Sequence, residues 1–215
     1  QEDIVAEIEK INADPEIHGI LLLKPVPRHM DDRIISEAVA PAKDVDGVTS
    51  GAMARVFMDS GEGFPPCTAQ ACMEIVDYLG YKMAGKKVAV LGRSLIVGKP
   101  VAFMAMKKNA TVTILHSYTP HEEFVRACQN ADVIISAIGS AKMIGPEFIG
   151  KDQIVIDVGV NMDKDGSMCG DVDFDAVKDA TTAITPVPGG VGRVTTAVLM
   201  NHVIKAAKEL HRNNW

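Results

Sequence analysis

The sequence predicts an α/β protein built around a parallel sheet, and three observations carry that reading. Four runs rich in Val and Ile, Lys87 to Gly92, Ala110 to His116, Ala131 to Ala137 and Gln153 to Gly159, alternate with helical or loop segments. That is the pattern of a sheet covered on both faces, with ligands at the carboxyl ends of its strands. A turn punctuated by glycine, Gly92-Arg-Ser-Leu-Ile-Val-Gly98-Lys-Pro100, follows the first run and opens a helix. The composition is that of a globular chain, with 215 residues, 47% of them hydrophobic, and a net charge of -6. The acidic balance argues against nucleic acid or an anionic membrane as the main partner.

Taken in order, Ile4, Val5, Ile8 and Ile11 mark a first helix, and His18 to Leu23 reads as a short apolar strand. Met30 to Val39 reads as a helix leading to the loop Pro41-Ala-Lys-Asp-Val-Asp-Gly47. Pro65-Pro66 punctuates the chain, and Thr68 can cap a helix through Ala71, Ile75, Val76 and Leu79 that ends near Gly80. The four sheet runs follow. Next, Ile184-Thr-Pro-Val-Pro-Gly-Gly-Val-Gly192 ends an apolar strand. Pro186 and Pro188 restrict φ and exclude a central strand, while Gly189, Gly190 and Gly192 permit positive φ and close backbone approach to a flat ligand. A plain strand-to-helix turn has the same composition. An amphipathic helix, Thr195 to Leu210, closes the sequence and is expected to pack on the first domain.

No apolar run reaches membrane-spanning length and no secretory signal is visible. Cys67, Cys72, Cys128 and Cys169 are scattered without metal spacing, which reads as reduced thiols in a cytoplasmic protein. The six histidines form no ligand cluster, so no metal site is expected. The sequence opens at Gln1 on a helical pattern, which reads as a start inside a domain.

The turn after the first sheet run should present backbone N–H groups and a helix dipole to a pyrophosphate. It departs from GxGxxG, since Ser94 and Val97 occupy the second and third glycine places. Five residues rather than four separate Gly92 from Gly98, so it is not a Walker A loop either. The second run ends at His116-Ser117-Tyr-Thr119 without the acid that would bind the ribose hydroxyls of NAD. Arg93, Ser94 and Ser117 offer positive charge and hydroxyls to a 2′-phosphate instead, which favours NADP. The alternatives are a solvated loop arginine and an ordinary strand end. Asn161, Asp163, Asp165 and Gly166 mimic the start of an EF-hand loop, but Val172 stands where its glutamate is required, so they read as a turn. Tyr78 and Lys82 have YxxxK spacing, yet Gly80 lies between them and they precede the cofactor sheet.

Lys43-Asp-Val-Asp-Gly47, Pro66-Cys-Thr68, Gly92-Arg-Ser94 with Val97-Gly-Lys-Pro100, Asp157-Val-Gly159, Gly170-Asp-Val-Asp173 and Pro186-Val-Pro-Gly-Gly-Val-Gly192 stand in an order and spacing that closely resemble the methylenetetrahydrofolate dehydrogenase/cyclohydrolase family. The resemblance covers nearly the whole chain. It implies a Rossmann-like parallel-sheet NADP domain over 67–192, and an incomplete N-terminal α/β catalytic domain over 1–66 completed by the C-terminal helix 193–215. It also implies a homodimer, with folate in the cleft between domains. By the same resemblance Asp46 would bind the pterin, and Pro186, Gly189 and Gly190 would lie against folate and nicotinamide. Gly92, Arg93, Ser94 and Ser117 would hold NADP, with Val160 lining its pocket. The reaction implied is hydride transfer from the one-carbon bridge of methylene-tetrahydrofolate, giving a methenyl cation that water opens to the formyl product.

Three departures bear on activity. The family's catalytic Tyr-xxx-Lys lies upstream of the segment Gly19 to Leu23, in a part of the first domain that this sequence does not contain, so the catalytic residues are unknown and the chain reads as N-terminally truncated. Leu23-Lys-Pro-Val-Pro27 stands where the family has Gln-Leu-Pro-Leu-Pro, which puts hydrolysis in doubt; Lys24 reads first as a solvated surface residue and second as a partial substitute. Arg193-Val194 replaces Pro-Met. Two readings stay open, a folate dehydrogenase lacking an N-terminal section and a non-catalytic NADP-binding fragment. A partial first domain would leave apolar faces near Ile20 and Leu22 exposed.

Overall fold

A computed structural model of the protein describes residues 1–60 and 63–212. The chain separates into two compact units, one of Gln1–Cys67 with Thr196–Trp215 and one of Thr68–Thr195. The last three residues of the C-terminal helix segment 193–215 lie outside the described residues.

The larger unit holds a five-stranded parallel sheet. Its strands are β1 (Lys87–Leu91), β2 (Thr111–Leu115), β3 (Val133–Ser136), β4 (Ile154–Asp157) and, later in the chain, Ala183–Ile184. Between β4 and that last strand, a two-stranded hairpin forms β5 (Asn161–Met162) and β6 (Met168–Cys169), so the last strand is β7. The order across the sheet is β2-β1-β3-β4-β7. β3 and β4 are buried along their whole length, as the sequence's continuous apolar runs require of parallel strands covered on both faces. Period-two alternation turns Ala89, Leu91, Ile134 and Val155 to one side, where they pack with Phe124, Cys128, Phe148, Val172 and Val177. Around the sheet run α4 (Cys67–Tyr78), α5 (Gly98–Lys107), α6 (His121–Gln129) and the short α7 (Phe174–Val177), with α5 packed on β1 and β2. The helix placed by Thr68 starts one residue earlier, at Cys67 after the two prolines, so Thr68 lies within α4 rather than capping it.

The acidic stretch read as a turn is the connection of the β5–β6 hairpin. Gly166 takes φ +82 and donates to the Asp163 carbonyl, and the Asp165 carboxylate accepts from the Ser167 amide and hydroxyl. The Tyr78 side chain is exposed at the end of α4.

In the smaller unit, α1 (Glu2–Ala13) places Ile4, Ile8 and Ile11 against Ile20, Ile35 and Val39. The helix expected over Met30 to Val39 is shorter, α2 (Asp32–Glu37), because the Asp31 carboxylate caps it by accepting from the Arg33 and Ile34 amides. A helix not anticipated, α3 (Ser50–Met58), is capped by Thr49. The last helix, α8 (Val191–Arg212), brings Leu199, Val203 and Ala206 to Val45 and Phe64.

Two expectations fail in this unit. His18 to Leu23 forms no strand; burial alternates from Ile20 to Leu23, but a single long-range backbone bond, Ile20 N–H to the Lys43 carbonyl, takes the place of a ladder. Ile20 is buried and Leu22 half-buried, because both join the α1–α2 core; the exposed leucines are Leu21 and Leu23. Asn12 ties α1 to the α2 exit through the Ala38 carbonyl and the Ala40 amide, and the buried Lys43 ammonium caps α1 through the carbonyls of Ile11 (2.8 Å) and Asp14 (2.5 Å).

Candidate functional site

At the carboxyl end of β1, Gly92 takes φ +108, and a Cβ there would strike the carbonyl of Ala137 just beyond β3. The chain leaves β1 toward β2 on one side while β3 lies on the other, so this is the point where the strand order reverses and a crevice opens. Gly98, the first residue of α5, has no room for a Cβ either, because the Gly92 carbonyl occupies that space. The two glycines let the turn fold tightly on itself and aim α5 at the crevice.

The amides expected to be free at this turn are partly taken. The Ser94 hydroxyl oxygen accepts from the Val97 and Gly98 amides, at 3.1 and 3.3 Å, and the Ser94 carbonyl accepts from Lys99 N–H. Ser94 thus caps the helix from inside the loop, and its hydroxyl proton is left to point elsewhere.

A hollow of about 600 Å³ lies at this end of the sheet, walled by Gly92, Arg93 and Ser94 after β1, His116 and Ser117 after β2, and Ala137, Ile138 and Ser140 after β3. Among the described residues no acidic side chain lines it. The Arg93 guanidinium lies over the Tyr118 ring at 5.7 Å, which holds the cation near the β2 exit. Sequence reasoning passed over Tyr118, although it sits between Ser117 and Thr119.

Val160 is not part of this hollow. It lines a second one, of about 300 Å³, at the carboxyl ends of β4 and β7, together with Asp157, Gly159, Pro186, Gly189, Gly190 and Arg193. The residues assigned to folate and nicotinamide therefore share a wall with Val160, while Gly92, Arg93, Ser94 and Ser117 gather in the first hollow. Three interstrand spacings separate β2 from β4, about 14 Å at roughly 4.8 Å each. Two hollows spaced in this way on one sheet edge suit the two ends of an extended dinucleotide, and the cation without a competing acid suits a 2′-phosphate.

Asp46, in the smaller unit, is half-buried. Burial raises its carboxyl above its ordinary value, and the neighbouring Cys67 thiol, which donates to the Val45 carbonyl (3.2 Å), pulls the other way. Cys67 is itself buried, and burial pushes its thiol far up, so it stays a proton donor. Gly47 packs without a Cβ against the backbone of Pro65 and Pro66, and the Cys67 amide donates to the Asp46 carbonyl, so the loop and the start of α4 are joined. The Leu23 side chain is 83% exposed. The Lys24 ammonium donates to Asp32 (2.8 Å) and to the Ser36 hydroxyl (2.9 Å), which leaves it anchored on α2 rather than free to serve as a base.

The fold and these hollows define a dinucleotide-binding α/β protein. Two domain families match the chain: the catalytic domain of tetrahydrofolate dehydrogenase/cyclohydrolase over residues 1–46, and the NAD(P)-binding domain of the same enzyme over residues 66–211. The bifunctional protein FolD of Carboxydothermus hydrogenoformans is 48% identical over 213 residues, covering 98% of this chain and 74% of that protein. The FolD methylenetetrahydrofolate dehydrogenase/cyclohydrolase of Campylobacter jejuni superposes with a TM-score of 0.94 at 35% identity, over 97% of this chain and 73% of that one. The Trypanosoma brucei enzyme, solved with NADP cofactor and an inhibitor, gives 0.93 at 33% identity, over 98% and 73%. The chain belongs to the tetrahydrofolate dehydrogenase/cyclohydrolase family.

Proposed function

We infer that this protein carries out the NADP-dependent oxidation of 5,10-methylene-tetrahydrofolate to 5,10-methenyl-tetrahydrofolate in one-carbon metabolism. The observation that carries the cofactor assignment is the convergence of Arg93, Ser94 and Ser117 on one hollow at the strand-order reversal, with no carboxylate among the described residues lining it. Family membership supports the substrate.

NADP, when bound, supplies the acceptor for the hydride. The chain's own residues position and shield. Gly92 lets the backbone approach the pyrophosphate, and Arg93 and the two serines meet the 2′-phosphate. Val160, Pro186, Gly189 and Gly190 wall the second hollow, where bare glycine backbone and stiff proline rings can sit flat against nicotinamide and folate. The Asp46 carboxylate accepts from the amino and amide donors of the pterin. Much of the rate gain then comes from holding two flat ligands in register.

The domain roles follow: 1–66 with 193–215 for folate and 67–192 for NADP. No catalytic residue is assigned within residues 1–215; the family resemblance gives that role to a Tyr-xxx-Lys pair. Hydrolysis of the methenyl product is assigned as the weaker activity, because an exposed aliphatic Leu23 cannot hydrogen-bond a catalytic lysine and Lys24 is held by Asp32 and Ser36. A cytoplasmic homodimer fits the family; among the described residues no helix is long and apolar enough to cross a membrane.

The test is a pair of separate assays on the protein carrying the Tyr-xxx-Lys segment, one for NADP-dependent oxidation and one for methenyl hydrolysis. Oxidation well above hydrolysis is expected. Failure to reduce NADP with methylene-tetrahydrofolate would refute the dehydrogenase reading, and hydrolysis exceeding oxidation would refute the role given to Leu23.

A further inference from the structure

Asp171 is fully buried, lines neither hollow, and accepts five hydrogen bonds. One carboxylate oxygen takes the Ser136 hydroxyl (3.1 Å) and the Ile138 amide (2.7 Å). The other takes the amides of Gly139 (3.0 Å) and Ser140 (2.9 Å) and the side-chain amide of Asn161 (3.0 Å). Three successive backbone N–H groups of the β3 exit are thus gathered on one carboxylate, with Gly139 at φ +75 making the bend. The Asp171 amide in turn donates to the Asp157 carboxylate (3.0 Å), which also accepts from the Gly159 and Val172 amides at the β4 exit.

The packing leaves no slack. A Cβ on Gly159 would collide with the Asp171 carboxylate, and one on Gly170 would collide with the Asp157 carboxylate. Ile138 and Ser140 wall the first hollow; Asp157 and Gly159 wall the second.

We propose that Asp171 is a positioning residue for the dinucleotide. Its buried carboxylate fixes the β3 exit turn at one hollow and, through Asp157 and Asn161, the β4 exit at the other, so that it sets the register between the two ends of the cofactor. This rests on the cofactor reading above. It differs from a plain core contact, because the groups it organises are cofactor-walling turns rather than packed strands.

The experiment replaces Asp171→Asn, which keeps the shape but sets an NH₂ group against N–H donors. Its readouts are calorimetric titration with NADP and with NAD, and amide exchange followed by NMR. In variant protein that circular dichroism reports as folded, both cofactors should bind at least about tenfold more weakly, as expected when a charged acceptor of several amides is lost. The amides of Ile138, Gly139 and Ser140 should exchange faster than in the unsubstituted protein. A purely structural role would lower the melting temperature while leaving the affinity of folded molecules unchanged, and that result overturns the proposal. If Asp171→Asn does not fold, Asn161→Ala removes one half-buried donor; a rise in both dissociation constants of at least about twofold is expected, and no change overturns the proposal. Rapid exchange at 138–140 in the unsubstituted protein also overturns it. Absence of NADP binding by the unsubstituted protein would bring down the cofactor reading itself, an outcome distinct from normal binding that Asp171→Asn leaves untouched.

Discussion

Replacing Arg93 with Ala isolates the basis of cofactor choice. The guanidinium is exposed, lies over the Tyr118 ring at 5.7 Å, and shares its hollow with Ser94 and Ser117 but with no acid among the described residues. Nothing there competes with a 2′-phosphate for the charge. A hydrogen-bonded contact to an ionised group is worth about 1.5 to 3 kcal/mol, or roughly 10- to 150-fold in a dissociation constant. Because Arg93 faces solvent, screening places the loss near the lower end, about tenfold for NADP at moderate salt. NAD lacks the phosphate and should change by less than about twofold, since the only other loss is an exposed cation–π contact of about 0.5–1 kcal/mol within the protein. Titration of both cofactors at two salt concentrations reads this directly. The preference for NADP should shrink with salt in the unsubstituted protein and be largely absent in the variant. Equal affinity for the two cofactors before substitution, or equal weakening of both after it, would refute the reasoning.

Burial raises the Asp157 carboxyl from 3.8 to about 6, so the folded state binds its proton more tightly than the unfolded state. Its contribution to stability is therefore full below about pH 4 and is lost as pH rises through 6. The unfolding free energy of the unsubstituted protein minus that of Asp157→Asn should fall over this window, by at most about 3 kcal/mol. Urea denaturation at pH 4 and 6.5 measures it, and a difference that grows with pH would contradict the assignment. Gly159→Ala forces a Cβ into the Asp171 carboxylate and should lower stability by about 1–3 kcal/mol; an unchanged urea midpoint would show that the turn has room to yield. Asp46→Ala should weaken folate binding at least about tenfold while leaving NADP affinity intact, and parallel losses in both titrations would point to unfolding instead of a pterin contact.

The inner strands were legible because β3 and β4 are buried on both faces and β1 nearly so, so Val and Ile runs announce them without help from distant residues, whereas the largely exposed edge strand β2 shows itself through its β-branched residues. Strand ends fell within about two residues of the predicted runs. The turn at Gly92 was legible for a different reason: its glycines are needed where backbone meets backbone, at the Ala137 and Gly92 carbonyls, and such needs leave a local mark. The smaller unit was harder to read. Ile20 to Leu23 alternates like a strand, but alternation reports only which side is covered, and here helix packing does the covering. α3 was missed although Ala52, Met53, Val56 and Phe57 recur at helical spacing; its start is set by a cap that depends on a distant residue, the Asp44 carboxylate holding the Thr49 hydroxyl.

The grouping of site residues shows where pattern reading stops. Val160 is expected with the NADP residues, and its position after β4 puts it on the same sheet edge as both hollows. Which hollow it walls depends on how far β4 lies from β1, and that is set by β3 standing between them. The Asp157–Asp171 link is less legible still. Both residues lie in motifs whose glycines looked like turn formers, yet Gly159 and Gly170 are there because each faces the other strand's carboxylate. Neither constraint is visible along the chain, since the partners are more than ten residues apart and meet only when the β5–β6 hairpin folds back. A carboxylate at the end of an apolar strand, followed two residues later by glycine, is the trace such an arrangement leaves. In this chain the trace occurs at Asp157 and Gly159, directly before the residue that walls the second hollow. Asp171 thus packs against Gly159, the residue before Val160, while the strand order decides which hollow Val160 walls.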